Sequence, residues 1–161
     1  MLNAATLAEA AALLAACRSR GLHIATAESC TGGLIAAALT AIAGSSDVVE
    51  GGFVTYSNAA KARLLGVPPA LIATVGAVSE AVARHMAEGA LQHTDADLSI
   101  AVTGIAGPGG GSAGKPVGLV WFAAARRGGA ILAEHRVFPG DRESVRAATV
   151  DHGLMLLRQM I

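Results

Sequence analysis

The sequence predicts an α/β protein with a mixed sheet covered by helices on both faces. Strand-like and helix-like runs alternate along most of the chain, the pattern of strands joined by covering helices. Two later strand-like runs, 117–125 and 131–138, are separated only by the turn 126–130, so part of the sheet is an antiparallel hairpin. At 161 residues, 53% hydrophobic and 15% charged, the chain can bury a real core and does not read as disordered. A single domain over residues 1–161 is expected, because no linker or internal repeat divides it.

Residues 4–19 read as the first helix, with Leu7, Ala11 and Leu14 on one face and a capping box from Thr6 to Glu9. The apolar run 23–27 is a short buried strand, and 31–42 is a helix. After the turn Gly44-Ser45-Ser46-Asp47 comes a strand over 48–56, in which Gly51-Gly52 signals a bulge or close backbone approach. Ser57 or Asn58 caps a short helix through Leu65, closed by Gly66, and Pro68-Pro69 opens a further helical turn. Ser79 caps a helix over 80–92. The strand 97–103 leads into a glycine loop, 104–114, and then the hairpin. Asp141 caps the last helix, whose Val150, Leu154, Leu157 and Ile161 share a face.

Several function classes are disfavoured. Twelve basic residues balance twelve acidic ones, and three Phe, one Tyr and one Trp make no stacking surface, so no nucleic-acid partner is expected. The start of the chain has no basic leader and no apolar run reaches membrane-spanning length, so the expected compartment is the cytoplasm, with no membrane partner. Cys17 and Cys30 form neither a disulfide framework nor a zinc motif, and the five histidines lack ligand spacing, so no metal or cofactor is expected. Only Lys61 and Lys115 among the twelve basic residues are lysines.

The segment Thr26-Ala27-Glu28-Ser29-Cys30-Thr31-Gly32-Gly33 is the most informative in the chain. It places small nucleophilic side chains between a strand and a helix, where unpaired N–H groups favour negative charge and could hold an oxyanion. Ser29 is either a helix cap or a nucleophile. Lys61 is the available base, since desolvation brings a lysine toward neutrality, and Tyr56 lies five residues before it as a possible relay. Cys30 is a rival nucleophile, or a buried thiol. Gly109 to Lys115 spells the start of a phosphate-binding loop, but Pro116 and the strand that follows break the motif, so ATP hydrolysis is discounted. Arg142 and Arg146, one turn apart, either bind a phosphate or carboxylate jointly or form a solvated face.

Taken in order, Ala27 to Gly33, Gly44-Ser45-Ser46, Gly52-Phe53-Val54-Thr55-Tyr56-Ser57-Asn58, Lys61, Gly76-Ala77-Val78-Ser79, Thr103 to Pro108, Lys115-Pro116-Val117-Gly118 and Gly140-Asp141-Arg142 resemble the C-terminal domain family of CinA, the competence/damage-inducible protein. The resemblance spans nearly the whole chain and implies a three-layer α/β/α sandwich similar to anticodon-binding domains. It further implies a metal-free serine amidase, usually oligomeric, that deamidates nicotinamide mononucleotide to nicotinic acid mononucleotide and ammonia. By resemblance the catalytic group is Ser29, Tyr56 and Lys61. Substrate contacts fall near Thr31, Gly32, Gly33, Ser46, Thr103, Gly104 and Arg142. The expected partners are a small nucleotide substrate and further copies of the chain. The alternative is a non-catalytic nucleotide-binding module that regulates a partner in competence or DNA damage.

Overall fold

The computed structural model describes residues 2–161. Five strands, β1 (Ile24–Glu28), β2 (Val49–Val54), β3 (Leu98–Gly104), β4 (Leu119–Arg126) and β5 (Ile131–Val137), form one sheet in the order β2-β1-β3-β4-β5. β1 is parallel to β2 and β3, whereas β4 is antiparallel to β3 and β5, so the sheet is mixed as expected. The helices are α1 (Ala4–Arg20), α2 (Leu34–Thr40), α3 (Asn58–Leu65), α4 (Pro69–Val75), α5 (Glu80–Gln92) and α6 (Arg142–Gln159). No helix among the described residues is long and apolar enough to cross a membrane.

Side chains alternate along each strand, and the two faces of the sheet differ in bulk. One face presents Ile24, Ile100, Val102 and Phe122 to α1, α2 and α6, which contribute Leu13, Leu14, Ile35, Leu39, Leu154 and Leu157. The other presents Ala25, Ala27, Ala101, Ala123 and Ala125 to α5, with α3 and α4 outside it, through Leu65, Ile72, Val82 and Met86. The methyl-lined face lets α5 approach the sheet closely. α3 in turn lies tight on α5, because a Cβ on Gly89 would fall 2.1 Å from the Leu65 carbonyl oxygen. These two short spacings fix where α3 stands.

Local chemistry explains most boundaries. α1 is capped by Asn3, whose side chain accepts from the Thr6 N–H at 2.9 Å. The expected Thr6–Glu9 capping box is thus one turn out of place, and Thr6 Oγ1 donates instead to Asp151 of α6. The buried face of α1 is Thr6, Ala10, Leu13, Leu14 and Cys17, rotated from the expected Leu7, Ala11 and Leu14 stripe, because the helix packs against both α2 and α6. Ser57, not Asn58, caps α3. The β1–β2 register slips between Ile24 and Ala25, skipping Glu50, and a Cβ on Gly52 would press on Thr26 Oγ1. β4 begins two residues later than expected because Gly118, at φ +93°, packs its backbone against Phe138, where no Cβ fits.

Because β1, β2 and β3 run parallel, their carboxyl ends meet at one edge of the sheet, where ligands of open α/β sheets bind.

Candidate active site

β1 ends on Glu28, which is fully buried. Its carboxylate accepts from Thr31 Oγ1 at 2.6 Å and from the N–H groups of Ile35 at 2.9 Å and Ala36 at 2.8 Å. The positive end of α2 therefore compensates a buried anion supplied by the strand itself. This corrects two expectations. The helix starts at Leu34 after a turn, not near residue 31, and its leading N–H groups are already taken. Thr31, expected near substrate, is wholly buried and spends its hydroxyl on Glu28.

Ser29 is not a helix cap. Its N–H donates to the Val102 carbonyl of β3 and its own carbonyl accepts from the Gly32 N–H, both at 3.0 Å. Gly32 and Gly33 close this turn at φ +61° and +100°, left-handed conformations that account for the glycine pair.

Lys61 reaches the same point from α3. It is 1% exposed, and its Nζ donates to Ser29 Oγ at 3.0 Å and to the Thr55 carbonyl at 2.8 Å. Thr55 is itself fixed by donating its N–H to the Glu28 carbonyl at 2.8 Å, continuing the β1–β2 ladder. Burial holds the Lys61 amine below the ordinary lysine range, with Cys30 acting more weakly in the opposite direction. Lys61 sits one turn before Leu65, so the tight seat of Leu65 on Gly89 sets the reach of the amine.

A cavity of about 200 Å³ opens on this pair, with Ser29, Cys30, Tyr56, Lys61, Thr103, Gly104 and Arg142 on its walls. The Cys30 thiol is pushed up to about 12, chiefly by burial, so it stays protonated and is a poor nucleophile. Tyr56 is exposed, and its hydroxyl accepts from Arg142 at 2.7 Å. It does not stand between Lys61 and Ser29, which touch directly. Arg142 also donates to the Gly107 carbonyl at 2.9 Å, tying the glycine loop to the cavity mouth. Thr103 donates its hydroxyl to the Ala77 carbonyl at 2.9 Å.

One expected contributor lies elsewhere. Ser46 is exposed in a 3₁₀ turn just before β2, and the pairing of Val49 with Ile24 puts that turn at the edge opposite Ser29. Arg146 does not stand free beside Arg142. Its guanidinium donates to the carbonyls of Cys30 at 3.2 Å and Thr31 at 2.9 Å. Lys115 donates to the Val75 carbonyl at the end of α4, and its loop leads into β4, so no phosphate-binding loop is formed. Sequence reasoning missed the role of Glu28, and it weighed Arg146 only as a partner of Arg142 or part of a solvated face. The signal for Glu28 was an acidic residue ending an otherwise uncharged buried strand, one turn ahead of the next helix.

A family profile for the CinA C-terminal domain matches residues 6–161, and the chain belongs to that family. It is 55% identical over 132 residues to the nicotinamide-nucleotide amidohydrolase PncC of Enterobacter agglomerans, covering 82% of this chain and 80% of that protein. It is 54% identical over 153 residues to a CinA-like protein of Mycolicibacterium gilvum, covering 95% of this chain and 35% of the longer protein. This chain thus spans about a third of the length of such longer relatives. Its fold matches the crystal structure of a competence/damage-inducible protein from Agrobacterium tumefaciens, with a TM-score of 0.97 and 48% identity over 99% of this chain and 98% of that one. A CinA superfamily protein from Escherichia coli gives a TM-score of 0.93 at 39% identity over 100% and 94% of the two chains. The three-layer α/β/α architecture is that of the CinA family structures.

Proposed function

We propose that this chain is a serine amidohydrolase that converts nicotinamide mononucleotide to nicotinic acid mononucleotide and ammonia. The observation that carries the proposal is the buried contact of 3.0 Å between Lys61 Nζ and Ser29 Oγ, made by an amine whose burial favours its neutral form. The amidohydrolase name of the Enterobacter agglomerans relative supports the substrate.

In this reading the neutral Lys61 amine takes the Ser29 proton as Oγ attacks the carboxamide carbon. The tetrahedral intermediate collapses when the Lys61 ammonium returns that proton to the departing nitrogen. The C–N bond breaks, ammonia leaves, and an ester to Ser29 remains. Lys61, neutral again, deprotonates a water that attacks the ester. The carboxylic acid departs and Ser29 recovers its proton. Thr55 keeps the amine pointed at Oγ throughout. Tyr56 and Arg142 form the outer wall, suited to holding the ribose phosphate away from the reacting atoms, and remote binding of that kind supplies orientation.

Ammonia release from nicotinamide mononucleotide tests the reading, with Ser29→Ala and Lys61→Ala alongside. The wild-type chain is expected to turn over and both variants to lose at least about a thousandfold in rate. Tight calorimetric binding of the nucleotide without product would select a regulatory binding module instead.

A further inference from the structure

We infer that Arg146 is a positioning residue that aims the Cys30 N–H at the oxyanion of the tetrahedral intermediate. With the N–H groups of Ile35 and Ala36 committed to Glu28, α2 has no spare donors of its own at that end. Among the described residues, no backbone carbonyl accepts from the first two amides after the nucleophile, those of Cys30 and Thr31, and the Cys30 N–H meets only its own thiol sulfur. Cys30 borders the cavity that holds Ser29 Oγ.

The orientation of the Cys30 amide follows from a short chain of contacts. Apart from Gly107-Pro108 the described peptides are trans, so each N–H points opposite to the carbonyl of its own peptide. Arg146 holds the Thr31 carbonyl at 2.9 Å, which turns the Gly32 N–H the other way. That N–H donates to the Ser29 carbonyl at 3.0 Å. The Ser29 carbonyl is thereby drawn into the turn, and the Cys30 N–H faces out of it. The second guanidinium bond, to the Cys30 carbonyl at 3.2 Å, fixes the Thr31 amide in the same manner. A preset donor needs no reorganisation when charge develops on the substrate oxygen. The bonds to two carbonyls commit part of the guanidinium to this turn.

The kinetic part of this inference rests on the amidase reading; the structural part does not. The test compares wild type with Arg146→Met and Arg146→Lys by steady-state kinetics on nicotinamide mononucleotide and by amide hydrogen exchange. Arg146→Met is expected to lower kcat about ten- to a hundredfold with KM within about threefold, the signature of an interaction made in the transition state. Arg146→Lys, which keeps one donor group, is expected to recover part of that loss and carries the comparison if the methionine variant does not fold. The Gly32 amide is expected to exchange at least about tenfold faster in the variant, while core amides such as Ile100 keep their wild-type rates. A raised KM at unchanged kcat would instead make Arg146 a ligand of the substrate's anionic group and overturn the inference. An unchanged Gly32 exchange rate would overturn it as well. If the wild-type chain releases no ammonia, the amidase reading falls and the Gly32 exchange rate alone decides the positioning role.

Discussion

The carboxylate of Glu28 accepts the N–H of Ala36 at 2.8 Å, joining the last residue of β1 to the first turn of α2 across the loop that carries Ser29. This bond and its two companions make the nucleophile's turn a closed bracket. Glu28→Ala would leave the Thr31 hydroxyl and two N–H groups without their acceptor inside the protein. Each buried group left unpaired costs about 1–3 kcal/mol, so a loss of several kcal/mol is expected, a large part of a typical domain's stability. Urea unfolding measures it, and an unshifted midpoint would show that the carboxylate does not hold the turn.

The activity should follow the protonation of Lys61. Only the neutral amine accepts the Ser29 proton, so kcat/KM is expected to fall as pH drops through the lowered Lys61 value and to level off above it. Lys61→Arg should be inactive across the whole range, because a guanidinium does not deprotonate in proteins. A flat profile for the wild type would argue for another base.

Stability should also carry the mark of that amine. The folded value is lowered by burial, so between it and the ordinary lysine value the unfolded chain binds more protons than the folded one. Folding stability therefore gains with rising pH in that window, by about 1.4 kcal/mol for each unit of lowering. Comparing wild type with Lys61→Met between neutral pH and pH 10 isolates the effect. The wild type should gain on the variant as pH rises, and parallel curves would contradict the burial of an uncompensated amine.

Gly89→Ala is expected to disturb the base without touching it. The added methyl would lie 2.1 Å from the Leu65 carbonyl oxygen, a backbone atom, so α3 must shift. Overpacking of this kind costs about 1–3 kcal/mol. Turnover should fall as well, because Lys61 moves with the helix. Retained melting temperature and rate together would mean that the α3–α5 seam is softer than its spacing implies.

Cys30→Ala should leave the rate within about threefold of wild type, since a thiol held near 12 is not the nucleophile and alanine keeps the backbone N–H. A loss as large as that expected for Ser29→Ala would transfer the nucleophile's role to sulfur.

The sequence made legible what local chemistry decides. The hairpin turn, the caps at Ser57, Ser79 and Asp141, the bulge near Gly51 and the strand ahead of Ser29 all follow from residue type and period. Residue chemistry made Lys61 the available base for Ser29, and the resemblance pointed to the same pair, but no local spacing joins residues 32 apart and only the fold brings them into contact. What stayed hidden depends on the third dimension. Glu28 reads as one more polar residue until α2 folds back over it. Arg146 looked like a partner for Arg142 because both sit at the start of α6, yet one turn of helix aims it at the Cys30 and Thr31 carbonyls. Ser46 was expected to contact substrate, but strand direction carries it to the edge of the sheet opposite Ser29.

The alanines of the sheet have a consequence beyond packing. Ala25, Ala27, Ala101, Ala123 and Ala125 act as a thin shim under α5, and the seat of α3 is measured from that shim. Enlarging any one of them to valine would lift the helical layer a fraction of an ångström and lengthen the gap that the proton must cross. Catalytic decline would then precede any visible loss of fold, so tolerance at these five positions is a ruler for how finely the proton gap is set.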